Sequence, residues 1–232
     1  MDRLTDSAEL LDGPLLDPAA LEANLHDLAR LNRLTGGTGL SRRAVETLVA
    51  GAPGTTLLDV GTGGADIPIA LLAWAARERR GLAVTATDSR AEVLSAAVRA
   101  RPAINRIAGL TLEIADGRGL PYPDAAFDVA HASLVLHHLE PHEAVAFLRE
   151  LRRVARTGIV VNDLVRGRLA WIGTWLAVHT LATGRYTRHD GPLSVRRAYS
   201  RAELLGLLEA AGLRPVMTVV GLAGHRVAIA AR

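Results

Sequence analysis

Residues Leu57 to Pro68 read LLDVGTGGADIP, and the reading of this stretch decides the fold. A short apolar run ends in Asp59, a glycine turn follows, and Asp66 stands where a helix begins. A strand that feeds a glycine turn and then a helix opens a parallel βαβ unit with a ligand at the turn. Charge selects the ligand. The dinucleotide pattern G-x-G-x-x-G is met at Gly61 and Gly63, but its third glycine position holds Asp66. A carboxylate there caps free N–H groups and favours the helix dipole, and it occupies and repels the place of a diphosphate. Two acidic groups beside a backbone cradle suit a cationic, phosphate-free ligand, and the turn glycines let the backbone approach it closely.

Outward from this stretch, strands and helices alternate, the pattern of a parallel sheet covered on both faces. Strands are expected near 55–60, 82–87, 110–115, 127–132 and 157–162, with helices near 66–79, 90–100 and 142–155. Upstream, Asp17 as N-cap and Pro18 at the first helical position start a helix over 17–34, with Leu21, Leu25, Leu28 and Leu31 at helical spacing. Gly36, Gly37 and Gly39 break it. A second helix is expected near 41–50, capped by Ser41, and Ala52-Pro53-Gly54 reads as the linker into the first strand. Residues 164–199 interrupt the alternation. A helix over 201–211, capped by Ser200 and stopped by Gly212, leads to two strands near 213–220 and 224–231, joined by a tight turn at Ala223-Gly224.

The segment 57–68, with VTATDSR (84–90), IADGRGLPYPDAAFDVAHASLVLHHL (114–139) and the tail, resembles the class I S-adenosylmethionine-dependent methyltransferases in order and spacing. The resemblance implies a Rossmann-like seven-stranded α/β sheet, mostly parallel with an antiparallel last strand and helices on both faces. S-adenosylmethionine carries an ammonium, a carboxylate and a sulfonium with no phosphate, which agrees with the charge argument. The tail, NDLVRG followed by an apolar helix and RHDGPLSVRRAYS, resembles bacterial O-methyltransferases of polyketide and phenolic-lipid pathways.

Ligands of open parallel sheets bind beyond the carboxyl ends of the strands. Asp59, Gly61, Gly63 and Asp66 are therefore expected at the cofactor, with Asp59 on its ammonium. Asp88, followed by Ser89, can accept both ribose hydroxyls, the role the resemblance gives to an acidic residue at this strand end. By the same resemblance Asp116 and Gly117 lie against the adenine, although Asp-Gly is also a strong turn pair. Ser133 and Leu134 are expected at the methionine end.

A weakly acidic hydroxyl must lose its proton for methylation, and histidine is the natural base near neutral pH. His137 and His138 lie just past one strand and Asp163 just past its expected neighbour. His137 supported by Asp163 is the leading base and His138 the second, since adjacent side chains are not expected to share one pocket. His131 reads as an interior histidine. No metal site is expected, because no carboxylate cluster joins His137, His138 and His142. The insertion 164–199 is expected to form the acceptor pocket, with Trp171, Trp175, Tyr186 and His189 on it, although the tryptophans are equally compatible with core. The stretch 169–182 is also compatible with a membrane surface or a dimer partner.

Length and composition fit one domain: a helical cap over 1–50, a cofactor-binding core over 55–163, the insertion over 164–199, and a closing helix and hairpin over 200–232. There is no cysteine, so disulfides and thiolate-metal sites are excluded. The isoelectric point of 10.1 reflects a net charge of only +3 on a chain without lysine, because arginine holds its charge to very high pH. Scattered arginines and 3% aromatics do not make a nucleic-acid surface. No apolar run reaches the roughly 18 residues of a membrane span, and the polar first residues carry no leader pattern, so a cytoplasmic location is the expectation. The lysine-free, Ala/Arg/Gly-rich composition points to a bacterial source, and the resemblance of the tail to secondary metabolism. The expected acceptor is a small phenolic or polyketide-derived hydroxyl. Carbon methylation in a quinone-type pathway, a nicotinamide oxidoreductase and a non-catalytic cofactor-binding protein are the alternatives.

Overall fold

The computed structural model describes residues 1–5, 7–15, 17–49 and 54–232. Ala52 and Pro53 of the expected linker lie outside them. Seven strands form one sheet: β1 (Gly54–Val60), β2 (Gly81–Asp88), β3 (Leu110–Ile114), β4 (Phe127–Ser133), β5 (Ala155–Leu164), β6 (Pro215–Val220) and β7 (Arg226–Ala231). Their order is β3-β2-β1-β4-β5-β7-β6. The pairs from β3 through β5 are parallel, and β7 runs antiparallel to both its neighbours. The order reverses at β1/β4, the switch point where such sheets bind ligands.

The helices are α1 (Pro18–Leu34), α2 (Gly37–Val49), α3 (Asp66–Arg77), α4 (Ala91–Ala100), α5 (Pro141–Val154), α6 (Arg168–Leu181), α7 (Arg185–Arg197) and α8 (Arg201–Ala210). Strand periodicity assigns the two faces. Leu57, Val84, Val129 and Val160 pack under α2 and α3, whereas Leu58, Ala130, Ile159 and Ile229 pack under α5 and α8. The middle residues of the central strands, Leu57–Leu58, Val129–Ala130 and Ile159–Val161, are buried on both faces and apolar without alternation.

One local reading needs correction. The second helix begins at Gly37, not at Ser41. Gly36 takes φ +83°, so the chain turns there within one residue and resumes a helix at once. Ser41 is then interior, and its hydroxyl bonds to His131 (2.7 Å) and Asn162 (2.7 Å) instead of capping. The polar second half of the insertion also forms a helix, α7, despite Pro192 in its interior. Its first turn is anchored by Asp27 of α1, which accepts the Gly184 N–H at 2.7 Å. Among the described residues, no helix is long and apolar enough to cross a membrane.

Candidate active site

At the carboxyl ends of β1, β2 and β4 a cleft opens under α1. Asp59, Gly61, Gly63, Asp66, Asp88, Ser89, Ser133 and Leu134 all line it. Gly61 and Gly63 adopt φ +73° and +55°. A Cβ on Gly61 would lie 2.6 Å from Val135 Cγ2, so glycine is required both for the turn and for the close approach. Asp88 closes the turn, accepting N–H bonds from Gly63 and Arg90, each at 3.1 Å. Burial pushes its carboxyl above the ordinary value against the pull of those donors. Asp66 is likewise raised, first by burial, and takes a bond from Asn32 Nδ2 at 3.0 Å.

Asp116 and Gly117 line a smaller recess that also touches Gly61, Ser89 and Val135. A Cβ on Gly117 would meet Val60 at 2.8 Å and crowd the Phe147 ring. Asp116 is not free: its carboxylate pairs with Arg118 at 2.7 Å, which holds it below the usual carboxylate range.

Beneath the cleft runs a buried polar chain that local sequence did not expose. Asp59 pairs with His131 Nδ1, and His131 Nε2 meets Ser41. Arg226 donates to Asn162 (2.7 Å), Asn32 (2.6 Å) and Ser133 (2.7 Å). Burial lowers the Arg226 pKa to about 10, against the pull of Asp163 and Asp66. Asp59 is therefore shared between His131 and the cleft.

A second, mostly apolar cavity adjoins the first. The two share Leu11, Asn24, Leu28, Asn32, Leu134 and His138. Leu134 sits at φ +59°, a rare conformation for a branched side chain, and its N–H is held by the Asn162 carbonyl at 3.0 Å. Asn24 donates to Thr187 at 3.1 Å, which leaves its Oδ1 buried without a partner, as is Thr62 Oγ1 in the cleft. Both are buried oxygens without a protein partner.

His137 and His138 occupy a 3-10 turn, Leu136–His138, after β4. The Asp163 carboxylate takes the His137 ring Nδ1 at 2.7 Å and the His137 backbone N–H at 3.2 Å. Burial would raise Asp163, but the charge and hydrogen bond of His137 outweigh it and hold its pKa down. His138 Nδ1 bonds Asp12 at 2.9 Å. The expectation that neighbours could not share a pocket is corrected: the tight turn tilts the rings by 35° at 4.2 Å, and both line the second cavity. The carboxylate missing beside them in sequence arrives from Glu9, 3.8 Å from each Nε2. Burial pushes Glu9 up to about 7.

The insertion does wall this cavity, but through Thr174, Ala177, Val178, Thr187, Asp190 and Ser194. The structure places Trp171, Trp175, Tyr186 and His189 off its lining. Trp175 is exposed and stacks on His179, Tyr186 is buried under Arg185, and His189 bonds Asp190 on the outer side at 2.7 Å. On α6 the cavity takes Thr174, Ala177 and Val178, whereas Trp175 lies toward solvent.

This is a class I methyltransferase architecture, with its glycine turn, strand-end carboxylates and closing antiparallel strand in place. Residues 58–161 match the family described as methyltransferase domain. No curated protein matches the chain. Among solved structures it is similar to a SAM-dependent methyltransferase from Aquifex aeolicus (22% identity, 93% of this chain and 98% of that one, TM-score 0.62). It also resembles an O-methyltransferase family 2 protein from Planctomyces limnophilus in complex with apigenin (18%, 91% and 61%, 0.61). A third is human N-acetylserotonin methyltransferase in complex with SAM (16%, 93% and 56%, 0.65). At these identities the structural likeness establishes the fold. The fold is that of these methyltransferases, and the family match covers residues 58–161 within it.

Proposed function

We propose that the protein moves a methyl group from S-adenosylmethionine to an oxygen of a small phenolic or polyketide-derived acceptor. The observation that carries this reading is the buried Asp163–His137 pair on an apolar cavity that meets the cofactor cleft at Leu134. The cofactor, when bound, supplies an electrophilic methyl on a sulfonium. The chain must hold it, orient the acceptor and remove the acceptor's proton.

The carboxylates of Asp59 and Asp66 suit the cofactor ammonium, Asp88 and Ser89 the ribose, and the recess at Asp116 and Gly117 the adenine. Because Asp163 accepts the proton on His137 Nδ1, Nε2 keeps its lone pair, faces the cavity and can take the hydroxyl proton. Asp163 then stabilises the imidazolium. His138, on the wall of both cavities, is the alternate base. In this reading the N-terminal segment, α1 and the insertion enclose the acceptor, while 55–163 hold the cofactor, and the acceptor-facing residues are those of the observed cavity wall. The neighbour solved with apigenin is itself an O-methyltransferase, which agrees with a flat acceptor.

The test incubates the protein and methyl-labelled cofactor with a panel of phenols and polyketide-type hydroxyaromatics. A methoxy signal in the product supports the reading. A carbon-bound methyl moves it to carbon methylation, and no transfer to any member rejects the acceptor class.

A further inference from the structure

We propose that Glu9, His137 and His138 form a binding site for a divalent transition-metal cation in the wall of the acceptor cavity. Among the described residues these three side chains bring one ligand atom each to within 4.8 Å of one another. Two imidazole nitrogens and one carboxylate oxygen suit zinc-like cations rather than magnesium or calcium.

The second observation concerns the far side of each ring. His137 Nδ1 is held by Asp163 at 2.7 Å and His138 Nδ1 by Asp12 at 2.9 Å. A carboxylate behind each ring fixes the Nδ1–H tautomer, leaves Nε2 as the free lone pair and raises its basicity, the outer-shell arrangement of metal-binding histidines. The two Nε2 atoms each lie 3.8 Å from Glu9, on Oε1 and Oε2 respectively. Tetrahedral ligands about 2.1 Å from a zinc ion are roughly 3.4 Å apart, so the three ligand atoms, which lie within 4.8 Å of one another, draw in by up to about 1.4 Å on binding. Glu9 is buried and shares its carboxylate with the Ser194 hydroxyl at 2.9 Å. The cavity leaves the remaining coordination positions open to water.

The binding site rests on this geometry alone. Its consequence rests on the proposed function: a cation on His137 Nε2 occupies the lone pair that would accept the acceptor's proton, so the cation masks the base.

The test uses the untagged full chain, stripped with chelator and titrated with Co²⁺, with Zn²⁺ as competitor. The expected result is one equivalent bound per chain, with visible Co²⁺ absorption that Zn²⁺ abolishes. Glu9→Gln and His138→Ala should lose that absorption. Asp12→Asn, behind the ligand, should weaken binding about 10–100-fold, while His142→Ala, outside the cluster, should leave it intact. A thermal melt of each variant separates lost binding from lost fold. No stoichiometric uptake, or uptake indifferent to Glu9→Gln and His138→Ala in folded protein, overturns the site. Methyl transfer that rises as the site fills overturns the masking. S-adenosylhomocysteine titration of the stripped chain is read separately, and its failure counts against the methyltransferase reading without touching the cation site.

Discussion

Replacing His137 tests the chemistry, and the structure dictates the replacement. His137→Ala would leave the fully buried Asp163 carboxylate without its ring partner. Breaking a buried pair from one side costs about 3–5 kcal/mol, a large share of the roughly 5–15 kcal/mol that holds a domain folded. Lost activity in that variant would say little about catalysis. Asn at 137 keeps an amide donor near the Nδ1 position and the backbone N–H to Asp163, but has nothing in place of Nε2. We therefore expect His137→Asn to stay folded, with a melting point lower by only a few degrees, since about 1 kcal/mol corresponds to roughly 2–4 °C in a protein of this size. General base catalysis contributes about 10²–10⁴-fold, so kcat should fall by that factor. S-adenosylhomocysteine affinity should be unchanged, because His137 lines the acceptor cavity and not the cofactor cleft. The assay is methyl transfer at saturating cofactor, with chelator present, beside calorimetric titration of the product. A folded variant with wild-type kcat would refute the role of His137 and move it to His138.

Three further outcomes follow from the cleft. Asp88→Ala removes the carboxylate behind the turn; at about 1.5–3 kcal/mol per hydrogen bond to a charged group, S-adenosylhomocysteine affinity should fall by roughly 10–100-fold in calorimetry. Gly61→Ala forces a Cβ into φ +73° and against Val135, and should lower stability by about 1–2 kcal/mol from the backbone alone, with cofactor binding lost, as read by melts with and without product. Asp66 has a folded pKa raised above its unfolded value by burial; the folded state then holds the proton more tightly, so its favourable contribution is present at acid pH and is lost as pH rises through the raised value. Asp66→Asn, which keeps an acceptor for Asn32, should therefore raise the melting point more at pH 8 than at pH 4, and an equal shift at both would contradict the burial argument.

The convergence of Asp59, Gly61, Gly63, Asp66 and Asp88 on one cleft was legible because they lie at or just past strand ends, and a parallel sheet brings strand ends together. The His137–Asp163 juxtaposition was legible for the same reason, since β4 and β5 are neighbours. What could not be read came from a distance. Glu9, Asn24 and Arg226 reach the cavities from the N-terminal segment, α1 and β7, and nothing near His137 signals them. Arg226 had one cue, a charged residue opening an otherwise apolar strand. The face of α6 was ambiguous because its stripes are all apolar or small; the tertiary fold turns Thr174 and Val178 inward and leaves Trp175 outside. Ser41 has the residue type of a cap, but the turn it was to terminate is made by Gly36.

The most direct measurement is calorimetric titration of the purified chain with S-adenosylhomocysteine, with NADH in parallel. The account predicts saturable one-site binding of S-adenosylhomocysteine, weakened by Asp88→Ala, and no heat with NADH. Saturable NADH binding with no response to S-adenosylhomocysteine would contradict the charge argument at Asp66 and the cofactor assignment with it.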